Sequence, residues 1–157
     1  MSISGAAGAE WAEPVVLRRA RTADMFLLVD LADQVGYRLN PEWIRARLGA
    51  DPDAEAHVVA VLHDVPIGAA HVVVPSRQSG DGLRARITAL TVDEHHRAGR
   101  VGSRLLSHCE ELAGRMGASV VEIAVPAHRH DLEGFWHRNG YEPGDSAPFV
   151  KRLGRRS

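Results

Sequence analysis

Arg97-Ala98-Gly99-Arg100-Val101-Gly102-Ser103 is the stretch on which the reading of this chain turns. Before it runs Ile87-Thr88-Ala89-Leu90-Thr91-Val92, β-branched and apolar, the composition of a strand. After it, apolar residues at 101, 105, 109, 112 and 116 recur in steps of three and four, which predicts a helix with one buried face. The chain therefore leaves a strand, turns through small residues and opens a helix. The first turn of a helix has unpaired backbone N–H groups and a partial positive charge. With Gly99, Gly102 and two arginines beside it, this turn is a seat for a phosphate or pyrophosphate.

Working outward, Gly117 stops that helix, Val120 to Val125 reads as a buried strand, and Asp131 to Asn139 as a short helix closed by Gly140. Tyr141 and Ala147 to Leu153 read as a final pair of strands. Upstream, Val15 to Arg19 reads as a first strand, and Thr22 as the cap of a helix running to Val35. Asn40-Pro41-Glu42 predicts a second helix start, with a capping Asn and Pro at the first helical position, ending near Gly49. His57 to His63 and Ile67 to Val74 read as a hairpin joined through His63-Asp64-Val65-Pro66, and 75–83 as a polar turn. The order is β-α-α-β-β-β-α-β-α-β-β, an α+β domain around a mixed, mostly antiparallel sheet flanked by helices. Residues 14–157 are expected to form one domain behind a flexible tail at 1–13.

The 157 residues suffice for one core. Nineteen basic against twenty acidic residues leave a net charge of -1, which gives no support to a nucleic-acid or membrane surface. One cysteine excludes an internal disulfide, no apolar run is long enough to span a bilayer, and no signal pattern opens the chain, so the cytoplasm is expected. His95-His96 and His128-Arg129-His130 have no fixed ligand spacing and no cysteine pair beside them, so they read as solvated loop and no metal is expected. Cys109 reads as a buried spacer, and Phe135 and Tyr141 as core aromatics. His71, in a valine-rich strand, reads as a hydrogen-bonded sheet histidine or as a base.

Taken in order, these motifs resemble the GNAT (GCN5-related N-acetyltransferase) family over nearly the whole chain. Arg97-Ala98-Gly99-Arg100-Val101-Gly102 resembles its Arg/Gln-x-x-Gly-x-Gly/Ala signature, with Arg100 in place of the middle glycine. Leu90-x-Val92, Gly36-Tyr37, Phe135-Trp136-His137-Arg138-Asn139-Gly140-Tyr141 and Phe149 to Leu153 resemble further family features at matching positions. The resemblance implies a GNAT fold and an acetyl-CoA-dependent N-acetyltransferase, with direct attack of a primary amine on the thioester. The acceptor is expected to be a small molecule. A CoA-binding module without turnover, acting as a sensor or partner protein, and a protein or peptide N-acetyltransferase stay open as alternatives, as does a homodimer.

It further implies that the pyrophosphate sits on Arg97, Ala98, Gly99, Arg100, Val101, Gly102 and Ser103, and that the pantetheine arm lies along Leu90, Thr91 and Val92. A bulge in the fourth strand and a splay between 84–92 and 120–125 would open the slot for that arm. Trp136 stands where the family places a tyrosine that protonates the leaving thiolate, and an indole is no acid. Thr88 and Ala89 stand where it commonly places a glutamate base. Tyr37, His71 and Glu122 are the candidates for the missing base, by expected nearness to the acceptor.

Overall fold

The computed structural model describes residues 14–75, 83–97, 100–125, 129–144 and 149–154. Six strands run in sheet order β1-β2-β3-β4-β5-β6: β1 Val16–Arg19, β2 Glu55–Leu62, β3 Val65–Val73, β4 Leu83–Val92, β5 Ala118–Ile123 and β6 Val150–Arg152. Every neighbouring pair is antiparallel except β4 and β5, which are parallel. The helices are α1 Met25–Gln34, α2 Pro41–Arg47, α3 Val101–Arg115 and α4 Glu133–Arg138. Of the expected final pair of strands, the first is a single bridge, Glu142 to Val150, among the described residues. Ala147 and the tail at 1–13 lie outside them.

The helices form where the sequence signals them. Asn40 Oδ1 accepts from the Glu42 and Trp43 N–H groups at 2.8 and 3.1 Å, with Pro41 at the first helical position of α2. Gly117 ends α3 at φ +97°, a conformation that costs glycine little. Thr22 does not cap α1: it opens a 3-10 turn, Thr22–Asp24, ahead of the helix. The local anchor is instead Asp24, which is buried and accepts from Arg21 N–H at 2.7 Å and from the Arg18 guanidinium at 2.7 and 3.1 Å. The hairpin is tighter than its sequence suggests. His63 and Asp64 both take positive φ, so two residues suffice for the turn, and Val65 and Pro66 join β3. The proline is tolerated beside a bulge, where Ile67 has no partner on β2.

The sheet has a core on each face. α3 buries Val101, Leu105, Leu106, Cys109, Leu112 and Ala113 in the larger one. Burial pushes the Cys109 thiol up to about 12, consistent with a spacer. α1 and α2 cover the other face with Met25, Leu28 and Ile44 over Val59 and Val61. Tyr141 is fully buried, donating to Glu110 Oε2 at 2.8 Å, and Glu110 is paired with Lys151 at 3.2 Å.

Trp136 does not reach the groove where the resemblance places it: it is 2% exposed and packs edge-on against Tyr141 inside the core. Phe135 is half-buried against the same core, as expected, and lies beside the start of α3. One residue along a helix rotates the side chain by about 100°, and a sequence pattern of two adjacent aromatics does not fix that phase. Trp136→Ala is expected to destabilise the fold by about 3–5 kcal/mol in urea unfolding. A loss below about 1 kcal/mol would show that the indole is not a core element.

Candidate active site

Two cavities meet at the C-terminal half of β4. Its pairing with β5 ends at Ile87 and Ile123, where Ala124 N–H still donates to Ile87 O at 2.8 Å. Beyond that point the strands part. On the other edge of β4, Ala89 faces His71 while Ile87 faces Val72, so Thr88 is an extra, bulged residue. The bulge and the splay stand where the family resemblance places them.

The first cavity is a groove of about 630 Å³ between the parted strands, the start of α3 and α4. Leu90 and Val92 line it, whereas Thr91, by strand alternation, faces the opposite side. Arg97, Arg100, Gly102 and Ser103 form its far end, with Arg129 and Arg138 along the α4 side. Four guanidinium groups against one carboxylate, Asp131, make it an anion-binding surface. The N–H groups of Val101, Gly102 and Ser103 precede the first helical bond, from Arg104 N–H to Arg100 O at 3.0 Å, and have no backbone partner among the described residues. Arg97 Nε donates to Val92 O at 3.0 Å, which ties the loop to β4. A Cβ on Gly102 would meet the Phe135 ring at 3.2 Å, so glycine keeps the groove open there. The Val101 side chain points into the core instead, and Ala98 and Gly99 lie outside the described residues. An extended, anionic ligand such as acetyl-CoA fits this end of the molecule.

The second cavity lies across β4, under α1 and α2. It is half open and holds about 90 Å³, with apolar walls from Leu28, Leu31, Leu39, Trp43 and Ile44. Its floor is polar: His57, His71 and Thr88. His57 and His71 are directly opposite on β2 and β3 and stack at 4.2 Å between ring centres. His71 Nε2 lies 2.6 Å from Glu55 Oε2, and its Nδ1 makes a short hydrogen bond with Thr88 Oγ1. Arg47, at the end of α2, donates to the same Glu55 oxygen at 2.6 Å.

The protonation states follow from these partners. Burial alone would raise Glu55, but the Arg47 and His71 hydrogen bonds outweigh it and hold the carboxyl below its ordinary value. An ionised Glu55 only accepts, so His71 Nε2 carries the proton and Nδ1 accepts from the Thr88 hydroxyl. Burial lowers His71, against the pull of Glu55, so the ring is neutral at pH 7. Burial, and then the neighbouring His71, lower His57 to about 4. Both rings must gain a proton on unfolding in mild acid. Stability is therefore highest above about pH 6.5, the unfolded value, and falls between there and about pH 4. His57 alone contributes up to roughly 3 kcal/mol to that fall. Urea midpoints at pH 7.5 and pH 4.5 check it: His57→Gln should flatten the difference, and an equal difference in wild type and variant would refute it.

The two cavities distinguish the base candidates. His71 stands at the floor of the second one, and Tyr37, 45% exposed, stands at its rim. Glu122 is not near either: on β5 it takes Arg84 at 2.8 Å and Arg86 at 3.4 Å from the early part of β4. The parallel register puts residue 122 opposite Arg86, two residues short of the bulge, which corrects the expected nearness. Trp136, in the core, lines neither cavity, so the groove has no side chain from that position. Sequence reading does not single out Glu55, names Thr88 only as standing where a glutamate base is common, and takes Arg129 for solvated loop, whereas its side chain is 9% exposed and donates to Leu90 O. Alternation places Glu55 on the face of His57, but the bulge that turns Thr88 toward His71 leaves no mark in composition.

Comparison with known proteins agrees with this geometry. A 68-residue stretch is 37% identical to the tRNA(Met) cytidine acetyltransferase TmcA of Aeropyrum pernix, covering 43% of this chain and 9% of that protein. The fold is similar to the crystal structure of a transcriptional regulator from Bacillus halodurans (TM-score 0.74, 20% identity, 92% of this chain and 100% of that one). It is also similar to Arabidopsis thaliana Naa50 in complex with the bisubstrate analogue CoA-Ac-MVNAL (TM-score 0.66, 23% identity, 83% and 85%). Residues 22–141 match the Acetyltransferase (GNAT) family. With that match, the bulged fourth strand and the basic groove behind it, the chain belongs to the GNAT family of acetyltransferases.

Proposed function

We propose that the protein N-acetylates a primary amine on a small molecule, with Thr88, His71 and Glu55 removing the proton from that amine. The supporting observation is the pairing of a large basic groove with a small, half-open, mostly apolar pocket on the two sides of the Thr88 bulge. The volume of about 90 Å³ under α1 and α2 suits one compact group.

Bound acetyl-CoA supplies the activated acetyl group as a thioester. Arg97, Arg100 and the first N–H groups of α3 hold its phosphates, while Leu90 and Val92 hold the arm. A backbone N–H near Leu90 or Val92 polarises the carbonyl oxygen. As the amine nitrogen bonds the acetyl carbon, its proton passes to Thr88 Oγ1, and the hydroxyl proton passes to His71 Nδ1. Glu55 stabilises the imidazolium so formed. The carbon–sulfur bond breaks, and the departing thiolate, whose ordinary pKa is about 8.5, is protonated by solvent. This chemistry does not depend on an acid at residue 136.

Release of free thiol from acetyl-CoA, followed against a panel of primary amines, tests the reading. Turnover with a compact amine is expected. Calorimetric binding of acetyl-CoA with no thiol release across the panel would instead identify a sensor module.

A further inference from the structure

We infer that the acceptor is an α-amino acid with a compact aliphatic side chain, whose carboxylate is taken by Arg129. This rests on the acetyl-transfer reading above and names the substrate class of that same site.

Arg129 lines both the basic groove and the acceptor side of β4. Its side chain is 9% exposed. Nη1 donates to Leu90 O at 3.0 Å, and Nε reaches Asp131 Oδ1 at 3.3 Å. Asp131 is itself 65% exposed, so that pair is long and wet. A guanidinium this far from water normally has a carboxylate buried with it, because desolvating a charge alone is costly. Nη2 has no hydrogen bond among the described residues. Among the described residues one prong of this fork has no partner, and the anion that matches a fork is a carboxylate.

Its position says whose carboxylate. Arg129 lines a small chamber of about 60 Å³ together with Tyr37, Thr88, Ala89 and Thr91. The chamber shares Ala32, Tyr37, Leu39, Thr88, Ala89 and Thr91 with the apolar pocket. An amine at Thr88 Oγ1 therefore has the Arg129 guanidinium on one side and the Leu28, Leu31 and Ile44 walls on the other. Amine, carboxylate and apolar side chain branching from one carbon is the connectivity of an α-amino acid. The volumes suit a small side chain. A closed cavity of about 150 Å³ takes a benzene ring, and the half-open pocket of about 90 Å³ fits a branched aliphatic group. No acidic side chain lines either cavity among the described residues, since Glu55 is engaged behind His71, so a polycationic acceptor finds no counter-charge.

The test compares ligands that share one skeleton. L-leucine, leucinamide and 3-methylbutylamine are titrated calorimetrically into the protein saturated with CoA, and thiol release from acetyl-CoA is followed with each. Leucine is expected to bind at least about tenfold more tightly than its amide or the decarboxylated amine. Arg129→Met keeps the buried stem and removes the charge, and should bring that ratio close to one. Arg129→Lys should keep part of it. A ratio near one in the wild type, a ratio unchanged in Arg129→Met, or no leucine binding at all would overturn the assignment. If 3-methylbutylamine releases thiol while the ratio is near one, the carboxylate site fails and acetyl transfer stands. If the ratio holds but no amine releases thiol, the amino-acid site stands and the transfer reading fails.

Discussion

Gly102→Glu is expected to abolish measurable acetyl-CoA binding while leaving the fold intact. Gly102 is the second residue of α3 and lines the basic groove. Its backbone does not need glycine's conformational freedom, so the cost of a side chain is local. An added Cβ meets Phe135 at 3.2 and 3.4 Å and Val92 at 3.7 Å, which requires the Phe135 ring to give by a few tenths of an ångström. A glutamate in the first turn is otherwise welcome to a helix, stabilising it by about 0.3–1 kcal/mol. The same carboxylate would occupy the positive end that the phosphates need. Like charges brought together at a binding surface cost several kcal/mol, so a loss of at least about a hundredfold in affinity follows. Gly102→Ala separates the two causes, because it adds the Cβ without the charge and should weaken binding by about tenfold or less. Calorimetric titration with acetyl-CoA, beside urea unfolding to confirm the fold, measures both. Unchanged affinity in Gly102→Glu would remove the start of α3 from the cofactor site.

The two halves of the site differ in how far the sequence discloses them, and the reason is physical. The phosphate end of the groove is built by a local device: a strand end, a turn and a helix start, contiguous from Leu90 to Ser103, with residues 129–139 closing the other side. Contiguous signals of this kind survive in the order of residues. The acceptor pocket is assembled from α1, α2, β2, β3 and β4, and its chemistry depends on register. His57 meets His71 only because β2 and β3 pair as they do, and Thr88 meets His71 only because β4 has one residue too many opposite it. A shift of one residue in either ladder would turn these side chains to the other face. The sequence marks His71 as a polar residue among valines but not the partners that decide its role. Glu122 shows the converse, a carboxylate in a suitable strand that the parallel register spends on Arg84 and Arg86. Trp136 and Phe135 show the same limit in a helix, where motif spacing is kept but rotation about the axis is not.

His71→Gln is expected to lower kcat by about 10²–10⁴ with little change in KM for the acceptor, the range for loss of a positioned base. Glutamine keeps a polar side chain between Thr88 and Glu55 but has no nitrogen that takes up a proton. Thr88→Val keeps the shape at the bulge and removes the hydroxyl through which the proton passes, so it should reduce kcat in the same direction. Glu55→Gln leaves a hydrogen-bond partner for Nε2 but no charge to stabilise the imidazolium. The pH profile separates catalysis from packing. Burial holds His71 below its ordinary 6.5, so the base is already unprotonated at neutral pH. Wild-type kcat should be flat on the acid side down to below pH 6.5 and then fall as His71 takes up a proton. Glu55→Gln removes the carboxylate that favours the charged ring, so that limb should move to still lower pH. Nitrogen chemical shifts of His71 in the free protein give the same titration without any substrate. An acid limb that stays in place in Glu55→Gln, or a kcat unaffected by Thr88→Val in a folded protein, would leave these three residues as a structural network only. The proton acceptor would then have to be found at Tyr37 or in solvent.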